Sequence, residues 1–146
     1  MDKGVAVGLT ACAGGLVALQ APINSMLGKS VGTFAAASIS FIIGTVVLVA
    51  IAGVNAKDVH LGGASGLSWY YFTGGLLGAA YVTTVLVSVR TLGAGGVTAA
   101  TIAGQLSTAV VVDRLGILGL EQKGLTLGRL TGVALLALGV FLIVRE

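Results

Sequence analysis

The sequence predicts an all-α membrane protein: a bundle of five transmembrane helices that pairs with an inverted copy into a ten-helix dimer. Three observations lead there. Hydrophobic residues make up 56% of the 146 and charged residues 9%, against roughly 25% charged in a soluble domain, and the mean hydropathy is +1.07. The apolar residues fall into five runs, 4–27, 33–52, 67–89, 96–118 and 127–144, each close to the ~20 residues that cross a bilayer. Within three of those runs the polar side chains gather on one helix face, as groups turned toward a shared interior do. The spans and their connections occupy residues 1–146 as a single transmembrane domain and leave no room for a soluble catalytic domain.

The first run is small and apolar until Gln20, Pro22 and Asn24 arrive together. Proline has no amide proton and frees a carbonyl one turn earlier, so a kink or loosening is expected there. Thr10, Gln20 and Asn24 fall within roughly 80° on a 3.6-residue helix, a polar stripe ending beside the proline. Leu9-Thr10-Ala11-Cys12 has the form of the box ahead of a lipoprotein cysteine, but only a short apolar stretch and Lys3 precede it. Cys12 is therefore expected to pack within the helix. Gly28-Lys29-Ser30 ends like a phosphate-binding loop, yet Ile23 stands where that motif requires glycine. It reads instead as a short turn.

Beyond its first residue, Thr33, the second run carries only Ser38, Ser40 and Thr45 as polar side chains. Small hydroxyls on a helix usually bond its own backbone, so this span reads as scaffold. Residues 53–66 form the longest polar loop. The third run opens on Trp69-Tyr70-Tyr71, rings suited to the headgroup level. Thr73, Tyr81, Thr84 and Ser88 then share a face of roughly 80°. Residues 90–96 read as a tight glycine-rich turn. In the fourth run Thr98, Thr101, Gln105 and Thr108 share a face, with Asp113 about 60° beyond Thr98. Asp113 has two candidate cations: its neighbour Arg114, or a residue of another helix, since adjacent side chains diverge. The fifth run has no polar side chain between Thr131 and Arg145 and reads as a packing or lipid-facing helix.

The net charge of +3 comes from eight dispersed Lys and Arg, which gives no patch for nucleic acid. One cysteine and one histidine exclude an internal disulfide and argue against a Cys/His metal site. No cofactor is expected, and no nucleophile and base pair together, so an enzyme is not expected. With five spans the termini lie on opposite sides. Lys3, Lys57, Arg114, Lys123 and Arg129 then face Lys29, Arg90 and Arg145. This weak bias mildly favours a cytoplasmic N-terminus and permits dual topology. Five short helices enclose little polar space alone, whereas two opposed copies form the inverted repeat of many transporters.

Several segments carry a family likeness: Gln20-Ala21-Pro22-Ile23-Asn24, Ser40-Phe41-Ile42-Ile43-Gly44, Trp69 with the run from Gly74 to Val82, and Ala103-Gly104-Gln105-Leu106 with Asp113 and Gly116. In these the chain resembles the YdcZ-type family, five-helix proteins of the drug/metabolite transporter superfamily related to one half of the EamA-type carriers. The resemblance implies a five-helix unit of a bacterial-type plasma or inner membrane, pairing into a ten-helix assembly that transports small metabolites or drugs. The chain lacks the first-span Glu of the four-helix multidrug exporters, so their carboxylate-centred exchange does not carry over. The leading expectation is a secondary transporter of small organic solutes working by alternating access. Its partners would be the lipid bilayer, a small-molecule substrate, and a second copy or related protomer in inverted orientation. Gln20, Asn24, Tyr81, Thr84, Thr101, Gln105 and Thr108 are the candidate substrate-binding residues, and Asp113 the candidate for ion coupling. The alternative is a non-transporting membrane subunit or assembly partner whose polar stripes only hold helices together. A channel is a third reading, disfavoured by the apolar second and fifth spans.

Overall fold

Two breaks in the helices fall on glycines whose backbone other residues rarely adopt. The computed structural model describes residues 2–145, apart from the side chains of Asp58, Leu61, Ala64 and Ser65. Helix α1 spans Lys3–Val31 and continues through Pro22. It also continues through Gly28-Lys29-Ser30, where a turn is expected from the sequence. Nothing in that triplet forces an exit, since a single glycine costs a helix only about 1 kcal/mol. The turn is one residue, Gly32, at φ +90° and ψ 152°, a region occupied essentially by glycine alone. Its amide donates to the Gly28 carbonyl at 3.0 Å, and α2 starts at once, spanning Thr33–Val54. The two helices pack together as a hairpin.

Three short 3-10 turns follow, Ala56–Asp58, Leu61–Gly66 and Trp69–Phe72. In the last, Tyr70 and Tyr71 stack with centroids 4.5 Å apart. The hydroxyl of Thr73 donates to the Tyr70 carbonyl at 2.7 Å, and α3 runs over Thr73–Leu115. The sequence leads one to expect two helices and a turn at 90–96. The helical bonding instead persists across that segment, and only Gly93, at φ +67° and ψ 172°, leaves the helical region, so two helical arms join at a kink. Beyond Leu115 the chain turns through Gly116, Leu118 and Gly119, all at positive φ. Helix α4 spans Leu127–Val144, its first turn capped by the Thr126 hydroxyl, which accepts from the Arg129 amide. Among the described residues the regular structure is helical throughout. Four segments are long and apolar enough to cross a membrane: Lys3–Val31, Thr33–Val54, Trp69–Leu115 and Leu127–Val144.

The chain divides into two compact units, Met1–Arg90 and Thr91–Glu146. In the first, Ala36 and Ala37 of α2 pack against Val82 and Leu86 of α3, with Leu27 and Tyr81 laid over the cluster. Small residues permit this close approach, which is how helices associate when lipid removes any hydrophobic drive between them. At the same end, Arg90 donates to the Thr33 hydroxyl at 3.1 Å. Its guanidinium lies where a Cβ on Gly28 would come within 3.1 Å, so the glycine makes room for it. Cys12, expected inside the packing, is instead exposed on α1.

Candidate functional site

The antiparallel hairpin brings Asn24 and Ser40, each eight positions from Gly32, to the same height. The Ser40 hydroxyl donates to Asn24 Oδ1 at 2.6 Å. Asn24 is only 4% exposed, and its Nδ2 is buried with no partner among the described residues. Beside this bond lies a half-open cavity of about 230 Å³, lined by Gln20 of α1, by Ser40, Phe41, Gly44, Thr45 and Leu48 of α2, and by Val82 of α3, with Gln20, Phe41, Gly44, Thr45 and Leu48 exposed. The α2 positions fall on one helical face, at i, i+1, i+4, i+5 and i+8. Among the described residues, no charged side chain lines the cavity. The hydroxyls of Thr10, Ser38, Thr84, Ser107 and Thr131 each donate to a carbonyl four residues back. Ser40 departs from that habit, and Thr45 and Gln20 have no hydrogen-bond partner among the described residues.

The second unit holds the remaining polar stripe. Thr101 is half-buried, while Gln105 and Thr108 are exposed. Asp113 pairs with Arg129 of α4, Oδ2 to Nη2, at 3.1 Å, the two side chains being 24% and 31% exposed. Of the two candidate cations it is therefore the one on another helix. Arg129 Nη1 is buried without a partner among the described residues. The loop closes over the pair: the Lys123 amide donates to the Asp113 carbonyl at 2.8 Å, and Gln122 Nε2 to the Arg114 carbonyl at 3.0 Å. A Cβ on Gly116 would come within 3.0 Å of the Gln122 side chain, which is why the loop can fold this tightly there.

Residues 5–142 match the family model described as "Putative inner membrane exporter, YdcZ". The chain belongs to the YdcZ family. No curated protein and no solved structure matches it. With several helices long and apolar enough to cross, and the family's inner-membrane description, it is a multi-pass inner-membrane protein in contact with the lipid bilayer.

Of the candidate residues in this YdcZ chain, Gln20 lines the cavity and Asn24 supports its wall through Ser40. Tyr81 is half-buried on the core cluster next to Val82. Thr84 is exposed and its hydroxyl is committed to the Ala80 carbonyl at 2.9 Å. Neither Tyr81 nor Thr84 is among the cavity-lining residues. Reading α2 as scaffold misses Ser40, Phe41, Gly44 and Thr45, the largest part of the lining. The family-like segment Ser40-Phe41-Ile42-Ile43-Gly44 is the signal that could have found all but Thr45.

Proposed function

We propose that this protein is a secondary transporter of small organic solutes, not an enzyme, working by alternating access in a dimer of inverted copies, with the cavity beside Gln20 as its solute site. One observation carries the reading. Three polar side chains in apolar spans, Gln20, Ser40 and Thr45, face one cavity, and two of them have no partner among the described residues. Polar groups left open at membrane depth are costly, and they commonly mark a solute path. The exporter description of the family supports the same conclusion.

The length of α3 supports a reading with five crossings. Its 43 residues would extend about 64 Å as one straight helix, twice the ~30 Å hydrocarbon core. The kink at Gly93 divides it into arms of 20 and 22 residues, each sufficient for one crossing. Gln105 supports a second copy: it is an exposed amide within an apolar helix that lipid cannot satisfy. The face carrying Gln105 and Thr108, with half-buried Thr101 beside them, is the one assigned to the partner copy. Asp113 remains the candidate for coupling, and its pairing with Arg129 means that uptake of a proton or cation requires that pair to open.

The test is a solute screen on the purified full-length protein, read as ligand-induced thermal stabilisation, followed by flux into vesicles. A stabilising solute should be lost in Gln20→Leu with the dimer intact. A dimer that dissociates in Gln20→Leu, with no solute stabilising the wild type, would favour the non-transporting subunit.

A further inference from the structure

Resting on that transport reading, we infer the class of solute: a neutral molecule with an apolar or aromatic body and an amide or hydroxyl group. Among the described residues the lining includes no Lys, Arg, His, Asp or Glu, so an ion within it would be an unpaired charge in a low-dielectric span, a costly placement. The directions of the hydrogen bonds narrow the choice. Ser40 donates its proton to Asn24, so its oxygen meets the cavity as an acceptor. Gln20 and Thr45 can each donate and accept. A carboxylate brings no donor for Ser40, and an ammonium brings no acceptor for Gln20 and Thr45. An amide or hydroxyl brings both.

The rest of the wall is apolar: the Phe41 ring, Leu48 and Val82. A Cβ on Gly78 would stand 3.6 Å from the Phe41 ring, so the glycine allows α3 to lie close against it. The volume of about 230 Å³ exceeds the ~150 Å³ apolar cavity that holds benzene, and a benzene ring with one polar substituent fits. Gly44 gives the means to close it. It lines the cavity, and a Cβ there would meet nothing within 4 Å, so a larger side chain extends into open space without displacing the backbone.

The experiment titrates benzamide, benzoate and benzylamine, three probes of nearly equal size and different charge, into full-length protein in detergent micelles by calorimetry. Benzamide is expected to bind about tenfold or more tightly than either ion, and Gly44→Leu to abolish that binding while eluting as the wild type does. Thr45→Val, which keeps the shape and removes the hydroxyl, should weaken benzamide without restoring the ions, and serves if Gly44→Leu does not fold. An ion binding as well as benzamide, and lost in Gly44→Leu, overturns the neutral class while leaving the cavity as the solute site. Binding by none of the three, or binding indifferent to both substitutions, overturns the inference itself. Failure of the transport reading is distinguished by benzamide flux in vesicles: cavity-dependent binding without flux retains the class and rejects transport.

Discussion

Asn24 shows how one residue can be half satisfied. Its Oδ1 accepts from Ser40 at 2.6 Å while its buried Nδ2 has no partner among the described residues. Ser40→Ala would leave both ends of the amide unpaired. The expected destabilisation is about 1–3 kcal/mol, more than the ~0.6 kcal/mol of an average interhelical hydrogen bond in a membrane. Adding Asn24→Leu should recover most of that loss, since no buried polar group then remains. Thermal unfolding in micelles measures both, and a double variant no better than Ser40→Ala would show that Nδ2 finds a partner elsewhere in the assembly. Gln20 and Asn24 are legible in the sequence because an amide in an apolar run has no local backbone habit to hide in. Ser40 and Thr45 are not, because a helical hydroxyl ordinarily bonds the carbonyl four residues back, as five others here do. Which hydroxyl departs from that habit depends on what lies across from it, and that is a tertiary fact.

At the scale of the helices, two glycines break otherwise continuous helix. Gly32 and Gly93 combine positive φ with extended ψ, where any side chain is strained. Gly32→Ala and Gly93→Ala are each expected to lower stability by about 1–3 kcal/mol. Gly14→Ala is the control: a Cβ there meets nothing within 4 Å, and in mid-helix it should raise stability by up to about 1 kcal/mol. Equal effects at the three positions would mean that the turn and the kink do not depend on glycine. The ion pair between Asp113 and Arg129 ties the second arm of α3 to α4. Asp113→Asn and Arg129→Gln should each reduce stability by about 1.5–3 kcal/mol. Asp113→Asn should also end pH-gradient-driven flux in vesicles, and flux retained in that variant would leave the pair a purely structural link. Helix α4 is legible from the sequence to its ends, because a polar linker and Arg145 bracket an unbroken apolar run. The end of α1 is not, since Gly28 and Gly32 look alike in sequence and only the backbone shows which one turns.

For the whole molecule, the apolar composition by itself makes the membrane legible, and the family match agrees with it over residues 5–142. The number of helices is less legible, because a glycine-rich segment that reads as a turn remains helical on either side of Gly93. Pairing of copies is tested by Gln105→Leu. If this exposed amide meets a second copy, the substitution should weaken the dimer or its solute binding, read by cross-linking in native membranes. A dimer and a binding constant both unchanged would remove Gln105 from the interface. The central claim is that one face of α2 lines a solute path reachable from the aqueous side, and cysteine accessibility tests it most directly. In a Cys12→Ser background, Ser40→Cys, Gly44→Cys and Thr45→Cys are compared with Ile42→Cys, Val46→Cys and Ala50→Cys on the far side of the helix, using a membrane-impermeant thiol reagent on vesicles. The expected result is labelling of positions 40, 44 and 45, slowed by a bound solute, with 42, 46 and 50 unreactive. Equal reactivity around the helix, or labelling confined to 42, 46 and 50, would contradict it.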